Sequence, residues 1–80
     1  MKIAITTEAT FDKSKIAANI RSERQRAGYS STAEAAKAFG VSRPTYCKYE
    51  DARTVGDISI KKLQDLAELF GCPVERFFMD

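Results

Sequence analysis

Apolar residues recur every three or four positions along most of the chain, which is the spacing of helices that pack through one side. The first predicted helix begins at about Lys13 and ends before Gly28. Its apolar stripe consists of Ile16, Ala17, Ile20 and Ala27. Arg24 interrupts this stripe, because it lies four residues after Ile20, where another aliphatic side chain is expected. The pattern therefore places one charged residue among the inward positions of this helix.

Two short helices are predicted next, with a glycine between them. The segment "SSTAEAAKAFG" begins with a serine or threonine N-cap, has Glu34 three residues after Ser31 as in a capping box, and is rich in alanine. Gly40 can adopt the left-handed conformation that ends a helix and turns the chain sharply. Ser42 can then cap the third helix, in which Pro44 is tolerated in the first turn.

The third helix, predicted over residues 42–51, has two different sides. Helical spacing places Tyr46, Tyr49 and Glu50 together, and the two tyrosines indicate that this is the packed side. The outer side carries Arg43, Pro44, Cys47, Lys48 and Asp51. The helix is therefore expected to present two basic side chains outward.

The rest of the chain predicts two more helices after an irregular stretch at about residues 52–58. The fourth helix starts at Ser59 and stops at Gly71, with apolar residues in an i, i+3, i+4, i+7 pattern. Pro73 opens a last short helix that contains Phe77 and Phe78. The apolar residues of "VERFFM" suit either the core or an interface, and the sequence leaves that choice open.

These elements predict an all-α fold, a compact five-helix bundle over residues 13–80. Residues 1–12 precede it, and "KIAIT" alternates as a strand does, although one strand is not stable alone. This segment is expected to be either a strand that pairs with its copy across a dimer axis or a loose arm. Since 80 residues build only one small core, size alone also favours a homodimer.

Composition argues against several functional classes. The apolar fraction of 44% and the charged fraction of 30% are typical of a folded, soluble protein. No apolar run is long enough for a signal peptide or a membrane span, so a cytoplasmic protein is expected. Histidine is absent, and Cys47 and Cys72 share no metal-binding spacing. We therefore expect no enzyme, no metal and no cofactor, and both cysteines to be reduced thiols.

The net charge of +2 is small, but it is unevenly distributed. Residues 1–53 carry ten Lys or Arg against six Asp or Glu, while residues 54–80 carry three against five. The first part is therefore +4 and the second −2. This asymmetry is compatible with a basic face that meets phosphate, and solvated helix faces produce similar counts.

A short alanine-rich helix, a glycine turn and a second helix with a polar outer side are the components of a helix-turn-helix. Residues 16–78 resemble the lambda-repressor-like domains, the phage-repressor and Cro type of the Xre family. The resemblance rests on "IRSERQRAG", "AAKAFGVSRPTYCKYE" and "LQDLAELFGCPVERFF", in that order. It implies a recognition helix, here residues 42–51, that lies in the major groove of double-stranded DNA.

The resemblance implies a role for each polar residue of this region. Arg43 is the expected base reader, because a guanidinium can bond both O6 and N7 of guanine. Lys48 is expected to contact a base or a phosphate, and Pro44 a thymine methyl group. The expected contacts to the DNA backbone are Ser31, Thr32, Thr45, Arg53, Ser59, Lys61 and Lys62. Capping explains Ser31 and Ser59 equally well.

The family also pairs a helix-one arginine, here Arg24, with a glutamate at the end of the recognition helix, here Glu50. This pair is expected to be structural. The chain departs from the family pattern at Thr32, where a glutamine is usual, and at Ala52, where a glycine is common. The loop "GYSS" is also one residue longer than usual.

Two functional hypotheses follow. The first is a sequence-specific DNA-binding transcriptional regulator, a repressor that acts as a homodimer. It is expected to bind neither a small-molecule effector nor a membrane. A phage or mobile-element repressor would fit. The alternative is a protein-interaction module of the same fold, such as an antitoxin or adaptor domain, that binds its partner through helices four and five.

Overall fold

The computed structural model describes residues 12–79, and all regular secondary structure in this range is helical. The α-helices are α1 (Lys13–Arg26), α2 (Thr32–Phe39), α3 (Arg43–Cys47) and α4 (Ile60–Phe70). Three 3-10 helices follow α3 or α4, at Lys48–Glu50, Val55–Asp57 and Val74–Phe78. The predicted all-α fold is confirmed. The arm or strand predicted at the amino terminus lies outside the described residues, except for Asp12, which caps α1.

Serine side chains determine where three of the helices begin. Ser31, Ser42 and Ser59 are the N-caps of α2, α3 and α4, and each hydroxyl accepts from the backbone N–H three residues later, at 3.1, 3.3 and 3.1 Å. Each such cap is worth about 1 kcal/mol. At the other end of α2, Gly40 has a φ of +82°, which is the predicted left-handed stop.

The predicted capping box at the start of α2 is only half formed. Ser31 accepts from the N–H of Glu34, as expected. The Glu34 carboxylate, however, accepts from the N–H and hydroxyl of Ser30 at 2.9 and 3.1 Å, one residue before the cap. The glutamate thus holds the longer "GYSS" loop instead of the cap residue itself.

The third and fifth predicted helices differ in detail from expectation. Residues 43–47 are α-helical, but the chain then tightens into the 3-10 helix Lys48–Glu50, and Asp51 is extended. No non-glycine residue within residues 12–79 has a positive φ, so Ala52 is not left-handed and the turn has another shape. The Asp51 carbonyl closes this turn by accepting from Thr54 and Val55 at 3.0 and 2.8 Å. The predicted fifth helix is also 3-10.

The core lies where α1, α4 and the carboxyl-terminal 3-10 helix meet the inner sides of α2 and α3. Tyr46, Phe77, Ile20, Leu66 and Val55 are its largest fully buried residues. The structure thereby decides the role of "VERFFM": Phe77 is in the core, whereas Met79 is 56% exposed. The side-chain amide of Asn19 donates to the carbonyls of Phe77 and Met79, which fastens this segment to α1.

Candidate nucleic-acid interface

Helices α2 and α3 form a tight pair around a three-residue turn. Ala35 and Ala36 of α2 are completely or almost completely buried, and such small side chains allow α3 to approach closely. The N–H groups of Gly40 and Val41 both donate to the carbonyl of Ala36, at 2.9 and 3.0 Å. These bonds complete the turn and fix the direction in which α3 leaves it.

Aromatic packing fixes the rotation of α3 and its 3-10 extension. Tyr46 is fully buried and Tyr49 is 8% exposed, and their rings meet edge to face with centroids 5.5 Å apart. Phe39 at the end of α2 contacts Tyr49 in the same manner at 6.0 Å. With these rings inside, the opposite side of α3 must face outward.

The outward side of α3 and its 3-10 extension carries the residues predicted to read bases. Arg43, Pro44 and Lys48 are all exposed, as is Thr45, whose hydroxyl accepts from the Ser42 hydroxyl at 2.9 Å. Within residues 12–79, no ion pair involves Arg43 or Lys48. Two exposed cations without an ion-pair partner in residues 12–79 therefore project from α3 and from the 3-10 helix that follows it.

Most of the predicted phosphate contacts are already engaged within the chain. Ser31 and Ser59 cap helices, and Thr32, the first residue of α2, is half-buried. Arg53 forms an ion pair with Asp51 at 3.0 Å, and Lys61 forms one with Asp65 at 3.3 Å. The Lys62 ammonium lies 5.9 Å from the centre of the Phe39 ring, within the range of a cation–π contact.

A buried polar network fastens the 3-10 helix Lys48–Glu50 to α1. Arg24 and Glu50 form an ion pair at 2.7 Å, and their side chains are only 6% and 5% exposed. Arg24 also donates to the Tyr29 carbonyl at 2.8 Å, which holds the loop before α2. The Tyr46 hydroxyl donates to Glu50 at 2.6 Å, and the exposed Arg21 lies 3.6 Å from the same carboxylate.

The family resemblance paired Arg24 with Glu50, but the other members of this network were not predicted. The signal for Tyr46 was present, since residues four apart lie on one side of a helix. Sequence reasoning also missed Glu23, which is buried beside Arg26 and Arg76 at 3.9 and 3.6 Å. Arg76 comes from the carboxyl-terminal 3-10 helix, so only the tertiary fold reveals that contact.

The structure places both cysteines in partly buried positions. Cys47 and Cys72 are free thiols of intermediate exposure. Burial, and secondarily the charge of Glu23, raises the pKa of the Cys72 thiol. Cys72 is therefore held in its protonated, less reactive form. Within the described part of the chain, no group of three or more residues could hold a metal ion, and no helix is long and apolar enough to cross a membrane.

The network gives a prediction about alkaline pH. Burial, followed by the hydrogen bond to Glu50, raises the pKa of Tyr46 above its ordinary value. A raised pKa stabilises the folded protein below the unfolded value of about 10, and this contribution is lost as pH rises further. The stability advantage of the wild type over Tyr46→Phe should therefore shrink above about pH 10, as measured by urea unfolding at several pH values. An advantage that grows with pH would contradict this assignment.

These features define a helix-turn-helix domain: two helices are joined by a sharp turn, the second presents exposed cations, and a buried polar network holds its inner side to α1. A family model described as helix-turn-helix matches residues 20–77, and the chain belongs to this family, in its lambda-repressor-like, Xre-type form. The family consists of DNA-binding regulators and is generally non-enzymatic. Searches of curated proteins and of solved structures gave no match.

Proposed function

We propose that this protein is a sequence-specific transcriptional repressor that binds double-stranded DNA as a homodimer, with α3 in the major groove. The observation that carries this proposal is the pair Arg43 and Lys48. Both are exposed, Arg43 on α3 and Lys48 on the 3-10 helix that follows it, and neither has an ion-pair partner within residues 12–79. In a family of DNA-binding regulators, such cations are available to the bases and phosphates of a groove.

The proposed roles follow from side-chain chemistry. Arg43 lies in the first turn of α3, the part of a recognition helix that approaches base edges, and its guanidinium suits guanine. Pro44 offers an apolar surface to a thymine methyl group, and Lys48 a point charge to a base or a phosphate. The DNA backbone would be contacted by Ser31, Thr32, Thr45, Arg53, Ser59, Lys61 and Lys62.

Dimerisation on a palindromic operator is proposed because a single recognition helix contacts few base pairs. Helix-turn-helix proteins commonly bind two half-sites about one DNA turn apart. Steric occlusion of a promoter by such a dimer would repress transcription without any further machinery. The domain would then need neither a cofactor nor a small-molecule effector.

One observation favours the alternative, a protein-interaction module. Ile60 is 65% exposed and borders an apolar groove of about 270 Å³ between α1, the Val55–Asp57 turn and α4. Ile58 and Phe78 also line this groove, which lies on the surface that the alternative assigns to a protein partner. Binding there would not depend on Arg43, and its affinity would lack the steep salt dependence of phosphate contacts.

The experiment that tests the proposal is selection from a random duplex DNA library at near-physiological salt, followed by sequencing. Wild type, Arg43→Ala and Arg43→Lys proteins are compared. We expect the wild type to enrich a two-fold symmetric motif that contains a guanine. Both variants should lose discrimination at that base by about 10- to 100-fold, because neither retains the guanidinium fork.

Arg43→Lys is the matched control, since it keeps the positive charge. Its affinity for unselected duplex should therefore match that of the wild type, whereas Arg43→Ala should bind unselected duplex more weakly. A wild-type library without any enriched sequence would contradict a sequence-specific regulator. Enrichment of a motif without two-fold symmetry would contradict the homodimer alone.

A further inference from the structure

Asp51 and Arg53 form a compact ion pair directly after the recognition helix. The Asp51 carboxylate accepts three hydrogen bonds from Arg53: from its backbone N–H at 2.9 Å, from Nε at 3.2 Å and from Nη2 at 3.0 Å. The side-by-side use of Nε and Nη2 is the bidentate geometry that favours an arginine–carboxylate pair. Hydrogen bonds from Arg53 also lower the pKa of Asp51, so the carboxylate is charged near neutral pH.

The backbone holds this carboxylate in place. Asp51 is extended, and its carbonyl accepts from Thr54 and Val55, so the turn is anchored at the same residue. The Asp51 side chain is 33% exposed, whereas that of Arg53 is 88% exposed. A phosphate that approaches the guanidinium would therefore also meet the negative charge beside it.

The cations proposed to contact DNA differ in their ion pairing. Arg43 and Lys48, the proposed base readers, have no ion-pair partner within residues 12–79. Of the three cations proposed for the DNA backbone, Arg53 and Lys61 each pair with an aspartate of this chain, whereas Lys62 has no ion pair within residues 12–79. Aspartates of this chain thus offset two of the three cations that are proposed to contact the DNA backbone.

We propose that Asp51 neutralises Arg53 and so weakens the binding of this protein to DNA of any sequence. This inference rests on the proposed function. Non-specific affinity comes almost entirely from cations that displace counterions from phosphates, so a cation with its own carboxylate adds little to it. Specific affinity includes the same phosphate contacts, so the neutralised cation weakens specific and non-specific binding alike.

The test measures affinity for a duplex of arbitrary sequence over a range of salt concentrations. Asp51→Asn keeps the size of the side chain, one acceptor oxygen for the Arg53 N–H and the backbone carbonyl that closes the turn. We expect it to bind more tightly than the wild type at low salt. Its slope of log affinity against log salt should be steeper by about 0.9, the contribution of one additional phosphate contact.

Two further variants separate this effect from a general change of charge. Asp51→Asn combined with Arg53→Gln should return to the wild-type slope, because the cation that was released is gone. Glu75→Gln removes one negative charge from the carboxyl-terminal 3-10 helix, which packs mainly on α1 and α4, and it should leave the slope unchanged.

An Asp51→Asn protein with the wild-type slope, or with a change equal to that of Glu75→Gln, would overturn the inference. Weaker binding by Asp51→Asn would overturn it as well, since Asp51 would then orient Arg53 towards a phosphate. The proposed function fails separately, and takes this inference with it, if the wild type has no salt-dependent affinity for duplex DNA at all.

Discussion

Replacing Phe77 by alanine is expected to lower the free energy of unfolding by about 4 kcal/mol. Phe77 is fully buried, on the 3-10 helix that packs against α1 and α4. The substitution removes the ring and leaves a cavity that this small core has few side chains to fill. A domain of this length has a total stability of only about 4–12 kcal/mol, so the variant should be close to unfolding at room temperature. Urea unfolding followed by circular dichroism measures the loss.

The adjacent phenylalanine provides the control. Phe78 is only half-buried, so Phe78→Ala should cost clearly less than Phe77→Ala. Met79→Ala should have almost no effect, because Met79 is 56% exposed and Asn19 binds its backbone carbonyl, which the substitution keeps. Equal losses for the two phenylalanines would contradict the placement of Phe77 in the core and of Phe78 at its edge.

Replacing Glu50 by alanine is expected to lower the free energy of unfolding by about 3 kcal/mol. The substitution would leave the Arg24 guanidinium buried, with the Tyr29 carbonyl as its remaining partner among the bonds described above. It would also remove the acceptor of the Tyr46 hydroxyl. Since Glu50 ends the recognition helix, the same variant should bind DNA more weakly even at temperatures where it remains folded. Chemical denaturation measures the first effect and duplex binding the second.

An exposed ion pair offers the comparison for Glu50. Asp65→Ala breaks the pair with Lys61 on the surface of α4 and should cost at most about 0.5 kcal/mol. In the double variant Arg24→Ala/Glu50→Ala, no buried charge is left without a partner. Its loss should therefore be smaller than the sum of the two single losses. A Glu50→Ala protein no less stable than Asp65→Ala would show that the buried pair contributes nothing to folding.

The starts of α2, α3 and α4 and the end of α2 were accessible from sequence because single residues set them. A serine hydroxyl can satisfy a free N–H at a helix start, and Gly40 can take a left-handed conformation that other residues avoid. The switch from α to 3-10 geometry at Lys48 could not be predicted in this way. It depends on contacts such as the bond from the Thr54 hydroxyl to the Lys48 carbonyl at 2.8 Å, six residues away.

The sequence likewise predicted some features of the candidate site and not others. Periodicity alone separated Tyr46 and Tyr49 from the outward Arg43 and Lys48, because the helical repeat fixes which residues share a side. Periodicity could not reveal that Arg53 would be paired with Asp51. The two side chains meet in the turn after Glu50, which has Ala52 at the position where the family commonly has a glycine. The resemblance to a known family identified the Arg24–Glu50 partners, whereas spacing alone showed only that Arg24 interrupts an apolar stripe.

The sequence by itself determined the helical class of this protein, its order of helices and the outward side of its recognition helix. These features follow from local rules, because helical spacing and capping relate each residue to neighbours about three or four positions away. Only the tertiary structure decided that Phe77 completes the core, that Glu23 meets Arg76, and that the turn after α3 pairs Asp51 with Arg53. The physical reason is that burial and ion pairing depend on three-dimensional packing and turn geometry, which no local repeat encodes.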